Sequence, residues 1–157
     1  MSATGPKVQF AVNSLKEEKE IIKVTKEKIK WFKKNRYPFT LPNKPLEMIY
    51  NPKDYFKKIK EIERKWVKQE EEFFSALKDF FGKRFQKSII VHASKYGVAG
   101  GYSLPNHVYI NIDLVHDPVK TIQHEIVHLV VEPFVQKYKI DHRKKEKIVD
   151  AIMELFK

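Results

Sequence analysis

The amino-acid sequence predicts an α+β chain. Two long segments before residue 82 carry apolar residues at helical spacing, two short β-branched or alternating runs follow Gly82, and two capped helices close the chain. With 157 residues, 42% of them apolar and 32% charged, the chain suffices for a single domain with a sizeable core.

A short extended piece, Val8 to Val12, comes first. A helix is predicted from Ser14 to Asn35, where Leu15, Ile22 and Ile29 recur every seven residues and Phe32 closes the stripe. Tyr37-Pro38 and Leu41 to Pro45 read as a linker. Asn51-Pro52 is a cap-plus-proline start for a helix running to Phe81, with Gly82 as its stop. Its stripe is Tyr55, Ile59, Ile62, Trp66, Phe73, Leu77 and Phe80. Strands are predicted at Ser88 to His92 and at His107 to Asp113, with a long loop, Tyr96 to Tyr102, between them. Asp117-Pro118 opens a helix through Glu132, which Pro133 is expected to end or kink. A last helix spans Asp141 to Phe156, burying Ile148, Val149, Ile152, Met153 and Phe156.

There is no Cys, which excludes disulfides, thiolate catalysis and Cys-ligated metals, so a transition metal must sit on His and carboxylates. The net charge of +11 attracts anions in general, but the lysines alternate with glutamates along helices, which describes a solvated face and leaves nucleic acid as the weaker partner expectation. No apolar run is long enough to span a membrane, and the first seven residues lack an export pattern, which points to the cytoplasm.

Chemistry concentrates at His124-Glu125-Ile126-Val127-His128. Residues four apart share a helix face, so the two imidazoles can take two corners of a zinc tetrahedron while Glu125 reaches the water in the open position as general base. A third ligand is needed. Glu146 lies 18 residues beyond His128 on the final helix, and Asp150 follows one turn later, where it can accept the outer N–H of a ligand imidazole. His142 shares that helix face. Glu146 is favoured because it lies a turn inside the helix, whereas His142 falls in its first turn.

The pair His124-Glu-Ile-Val-His128 and Glu146-Lys-Ile-Val-Asp150 resembles the gluzincin type of zinc metallopeptidase, and the size is similar to its minimal members, the minigluzincins. The resemblance covers about residues 51 to 157 and implies a zincin-like fold: a long backing helix, a small mixed sheet with an exposed edge strand, an active-site helix and a glutamate helix, here with an extra N-terminal helix. It divides the chain into a catalytic core, 46–157, and a helical appendage, 1–45. It implies one catalytic zinc ion on His124, His128 and Glu146, with Asp150 orienting a ligand. It also implies a substrate-binding edge strand at His107, Val108, Tyr109, Ile110 and Asn111, and an oxyanion donor drawn from Tyr102, Tyr138 or His142. The expected activity is endopeptidase cleavage of extended peptide or protein substrate. The alternatives are a DNA-associated protease with three histidine ligands and a helical interaction module with an inert zinc site. An open edge strand is an aggregation hazard, so the segment 1–45 or a second copy of the chain is expected to cover the cleft and hold the chain latent.

Overall fold

The structure is a computed structural model that describes residues 7–82 and 88–157. Residues 1–6, which bear on the export reading, lie outside the described residues. The chain runs β1 (Val8–Val12), α1 (Leu15–Glu27), α2 (Ile29–Lys34), β2 (Phe39–Thr40), α3 (Leu46–Ile49), α4 (Lys53–Phe81), β3 (Ile89–Ser94), β4 (Gly97–Val98), β5 (Gly100–Ser103), β6 (His107–Asn111), α5 (Pro118–Lys137) and α6 (His142–Glu154). It is an α+β protein. No described helix is long and apolar enough to cross a membrane.

Four strands form a mixed sheet in the order β1-β3-β6-β5: β1, β3 and β6 are parallel, and β5 returns antiparallel to β6. One face, with Ile89, Val91, Ala93, Val108 and Ile110, is buried against the apolar stripes of α4 and α5, centred on Trp66 and Ile126. Helix α4 follows its predicted stripe except at Phe80, which is 51% exposed in the last turn. Asn51 caps it, its Oδ1 accepting from Lys53 N at 3.1 Å, and Gly82 stops it at a φ of 69° that favours glycine.

Four sequence-based expectations change. The helix over 14–35 is two helices, because the chain leaves helical geometry at Lys28 (φ −106°, ψ 10°). Thr25 Oγ1 donates to the Ile21 carbonyl at 2.7 Å, and the Lys28 N–H is shared between Val24 and Thr25, a pattern that bends helices. The 96–102 loop is not free: it holds β4, paired with β2 from the supposed linker, and most of β5. Helix α5 continues through Pro133 to Lys137, since Val131 and Val135 on either side of the proline are both buried in the core and hold the last turns in place. The strand His107 to Asn111 is not an edge. β6 is flanked by β3 and β5, so its backbone groups are already paired, and β5 is the edge on that side.

Nor is 1–45 an appendage. β1 is a strand of the main sheet, and Glu18 of α1 is fully buried, joining three elements. Its Oε1 accepts from Asn13 Nδ2 (2.9 Å) and Ser94 Oγ (2.6 Å), and its Oε2 from the Tyr55 hydroxyl (2.7 Å) and Lys95 N (3.1 Å). Four donors converge on one carboxylate. Glu18→Leu would strand them in the interior, so it is expected to lower unfolding stability by about 3 kcal/mol or more, read by urea denaturation. A loss under about 1 kcal/mol would show that the segment docks weakly.

Candidate metal centre

Helix α5 starts at Asp117, whose carboxylate accepts from Lys120 N at 3.1 Å with Pro118 in the first turn. This start sets the helical phase that turns Ile122, Ile126 and Leu129 into the core and His124 and His128 toward α6. Helix α6 begins at Asp141, which caps Lys144 N at 2.9 Å, and Val149 and Ile152 seat it against the core. Glu146 then faces the two histidines.

The three side chains converge. His124 Nε2 and His128 Nε2 lie 3.2 Å apart; Glu146 Oε2 lies 3.5 Å from His124 Nε2, and Glu146 Oε1 lies 3.2 Å from His128 Nε2. The ligand atoms all fall within 4.8 Å of one another, and no other described group of three such residues does so. Zinc bonds of about 2.0–2.1 Å in a tetrahedron put neighbouring ligand atoms about 3.3 Å apart; the two imidazole nitrogens stand at about that spacing, and each faces a different oxygen of the Glu146 carboxylate. Two imidazole nitrogens and a carboxylate this close together could hold a metal ion.

Charge in the site follows from burial and contact. Burial pushes the Glu125 carboxyl up to about 7, opposed by His124 and Lys145 and reinforced by Glu146. Glu146 behaves in the opposite sense: burial works to raise it, but the hydrogen bonds and charges of His124 and His128 hold it well below the usual carboxylate range. For His124 burial acts to lower the imidazole, and the nearby carboxylates of Glu146, Glu125 and Asp150 outweigh it. Asp150 Oδ1 is 4.0 Å from His124 Nδ1, facing the outer nitrogen at ion-pair distance rather than in a hydrogen bond.

Glycine at position 100 is required by crowding. A Cβ there would lie 2.7 Å from Thr121 Cγ2 and 2.9 Å from Glu125 Oε1, so β5 can pass this close to α5 only without a side chain. Next to it on β5, the Tyr102 ring stacks on His128 at 4.7 Å and 10°. Its hydroxyl donates to Glu132 Oε2 at 2.7 Å and accepts from Lys145 Nζ at 2.8 Å. Tyr102 therefore braces His128 with its proton already engaged. Tyr138 is 57% exposed, packs on Phe134 and does not line the cleft. His142 does line it, with Nδ1 4.0 Å from Glu146 Oε1 and Nε2 3.1 Å from the Tyr37 hydroxyl.

Tyr37 is a residue that sequence reasoning passed over as part of a chain break. Burial raises its hydroxyl, and the charges of Glu146, Glu125 and Asp150 add to the shift, so it stays a protonated donor at neutral pH. The cleft at the triad, about 1010 Å³, is lined by residues of β4, β5, β6, α5 and α6 and by residues of α1 and α2. The N-terminal helices thus form part of its wall. No periodicity marks this role, since Trp31 and Tyr37 lie off the buried stripe of their own segment. Comparison of the chain with protein-family models, curated proteins and solved structures finds no match.

Proposed function

We propose that the protein is a zinc-dependent endopeptidase of the gluzincin type, acting on extended peptides. The observation that carries this reading is the convergence of His124 Nε2 and His128 Nε2, on the helix that also presents Glu125, with the Glu146 carboxylate of α6. His124, His128 and Glu146 would hold the zinc ion, which when bound polarises a carbonyl and acidifies water. Glu125 is the base that accepts the proton of the attacking water and returns it to the departing amine. Tyr37 and His142 face the same space and, bonded to one another, leave one donor of the pair to turn toward the developing oxyanion, in place of Tyr102. The edge of β5, with Gly101 leaving room above it, offers backbone N–H and C=O groups to which a peptide adds as a strand. The three-histidine alternative has no such support, because His142 directs Nε2 at Tyr37 and is outside the converging group.

Metal analysis after dialysis, together with cleavage of a denatured protein substrate with and without chelator, tests the reading. One zinc per chain and chelator-sensitive cleavage are expected. Zinc bound without cleavage of any peptide would leave the inert-site alternative standing.

The ionisation of Glu125 sets the pH response. Its folded value, about 7, lies above the ordinary 4.5, so between these values the folded metal-free protein holds a proton that the unfolded chain has lost. Stability is thus gained below pH 4.5 and given up as pH rises through 7. Infrared titration of the metal-free protein should find a carboxylate ionising near 7 that is absent from Glu125→Gln, and zinc loading should move it down, since a dication favours the anion. Hydrolysis needs the ionised form and is lost as pH falls. A Glu125 midpoint below 5 without metal would contradict this assignment.

A further inference from the structure

We propose that the N-terminal helix pair determines specificity: the Trp31 indole, with Val24 lining the same cleft, receives one large apolar side chain of the peptide bound along β5. The inference rests on the peptidase reading and adds the substrate class. Ten large apolar side chains are exposed among the described residues, and Val24 (37%) and Trp31 (41%) are the two that line the cleft with His124, Glu125 and His128. The indole is held in place. It stacks on Tyr37 at 5.4 Å and 9°, meets the edge of His142 at 5.1 Å, and packs against Phe32 at 5.7 Å. The contact of the Tyr37 hydroxyl with His142 Nε2 locks this stack to the start of α6. The His142 ring, 5.1 Å from the indole, has its Nδ1 4.0 Å from Glu146 Oε1, so a single imidazole separates Trp31 from the converging side chains. An aromatic surface that is already fixed loses little entropy when it is covered, and a side chain laid on it leaves water together with the exposed indole and Val24.

The test uses the zinc-loaded Glu125→Gln variant and peptides that carry Phe, Leu or Ala next to the intended scissile bond. Trp66 is fully buried, so a tryptophan emission change on binding reports Trp31. The Phe and Leu peptides are expected to bind about tenfold or more tightly than the Ala peptide. Trp31→Ala should abolish most of that difference, whereas Trp31→Phe should keep it and lose the emission change. In the otherwise unaltered protein, the Phe-to-Ala ratio of kcat/KM should fall about tenfold in Trp31→Ala. If Trp31→Ala fails to fold, Val24→Ser should lower the same ratio, with Trp31→Phe as the folded reference. Undiminished discrimination in these variants overturns the proposal. It is overturned as well if Trp31→Ala turns a dimer into a monomer with selectivity unchanged, which would make a second copy of the chain the occupant. If no peptide is cleaved by the zinc-loaded protein, the peptidase reading fails first and the subsite falls with it.

Discussion

Replacing Glu125 with Gln is expected to slow peptide hydrolysis by about 10²–10⁴-fold, the contribution of a positioned general base, while the variant still binds one zinc per chain. The amide keeps the shape of the side chain beside Gly100, where there is no room for anything larger. It removes the group that accepts the proton and leaves both imidazoles and Glu146 untouched. Stability should move the other way. The buried carboxylate is costly to ionise, as its rise to about 7 records, so above pH 7 the metal-free Gln variant should melt no lower than the parent and is expected to melt higher. A gain in stability with a loss of activity is the mark of a residue placed for chemistry at the expense of the fold. Retention of most of the hydrolysis rate would remove Glu125 from the base role.

Much of this arrangement is readable in the sequence because it is local. The His124/His128 spacing, the caps at Asp117 and Asp141, and the stop at Gly82 each depend on residues within a turn or two of one another. The joining of Glu146 to the histidines is a longer inference: the periodicity of α6 sets Glu146 apart from the buried Val149 and Ile152, and the structure puts its carboxylate beside both imidazoles. What was not legible depends on contacts between distant segments. Gly100 to Ser103 lacks the β-branched signature of a strand, yet pairing with β6 makes it the sheet edge. Val8 to Val12 reads as extended, but nothing local says that it joins the sheet beside β3 or that Glu18 will be buried by partners up to 77 residues away. For the same reason Tyr37, at a chain break, and Trp31, off the apolar stripe of its helix, gave no sign of facing a cleft.

As candidates for a third ligand, the two carboxylates and the histidine of α6 are ordered by their geometry. Glu146 approaches both imidazoles within 3.5 Å, Asp150 reaches only the outer nitrogen of His124 at 4.0 Å, and His142 is engaged by Tyr37 and Trp31. Losing a partner that merely orients a ligand costs about 10–100-fold in metal affinity, so losing the ligand itself should cost more. Glu146→Ala is therefore expected to weaken zinc binding by more than about a hundredfold, Asp150→Ala by about tenfold, and His142→Ala by little, with its effect falling on turnover instead. Competition titrations with a chromogenic chelator measure all three. Protons compete as well, because zinc takes neutral imidazole and the carboxylates around His124 hold its ionisation above the ordinary 6.5. Zinc affinity should consequently fall as pH drops through that raised value, and removing Glu146 should shift the fall to lower pH, since its carboxylate is the main group favouring the imidazolium. A His142→Ala variant that loses zinc while Glu146→Ala keeps it would transfer the site to three histidines.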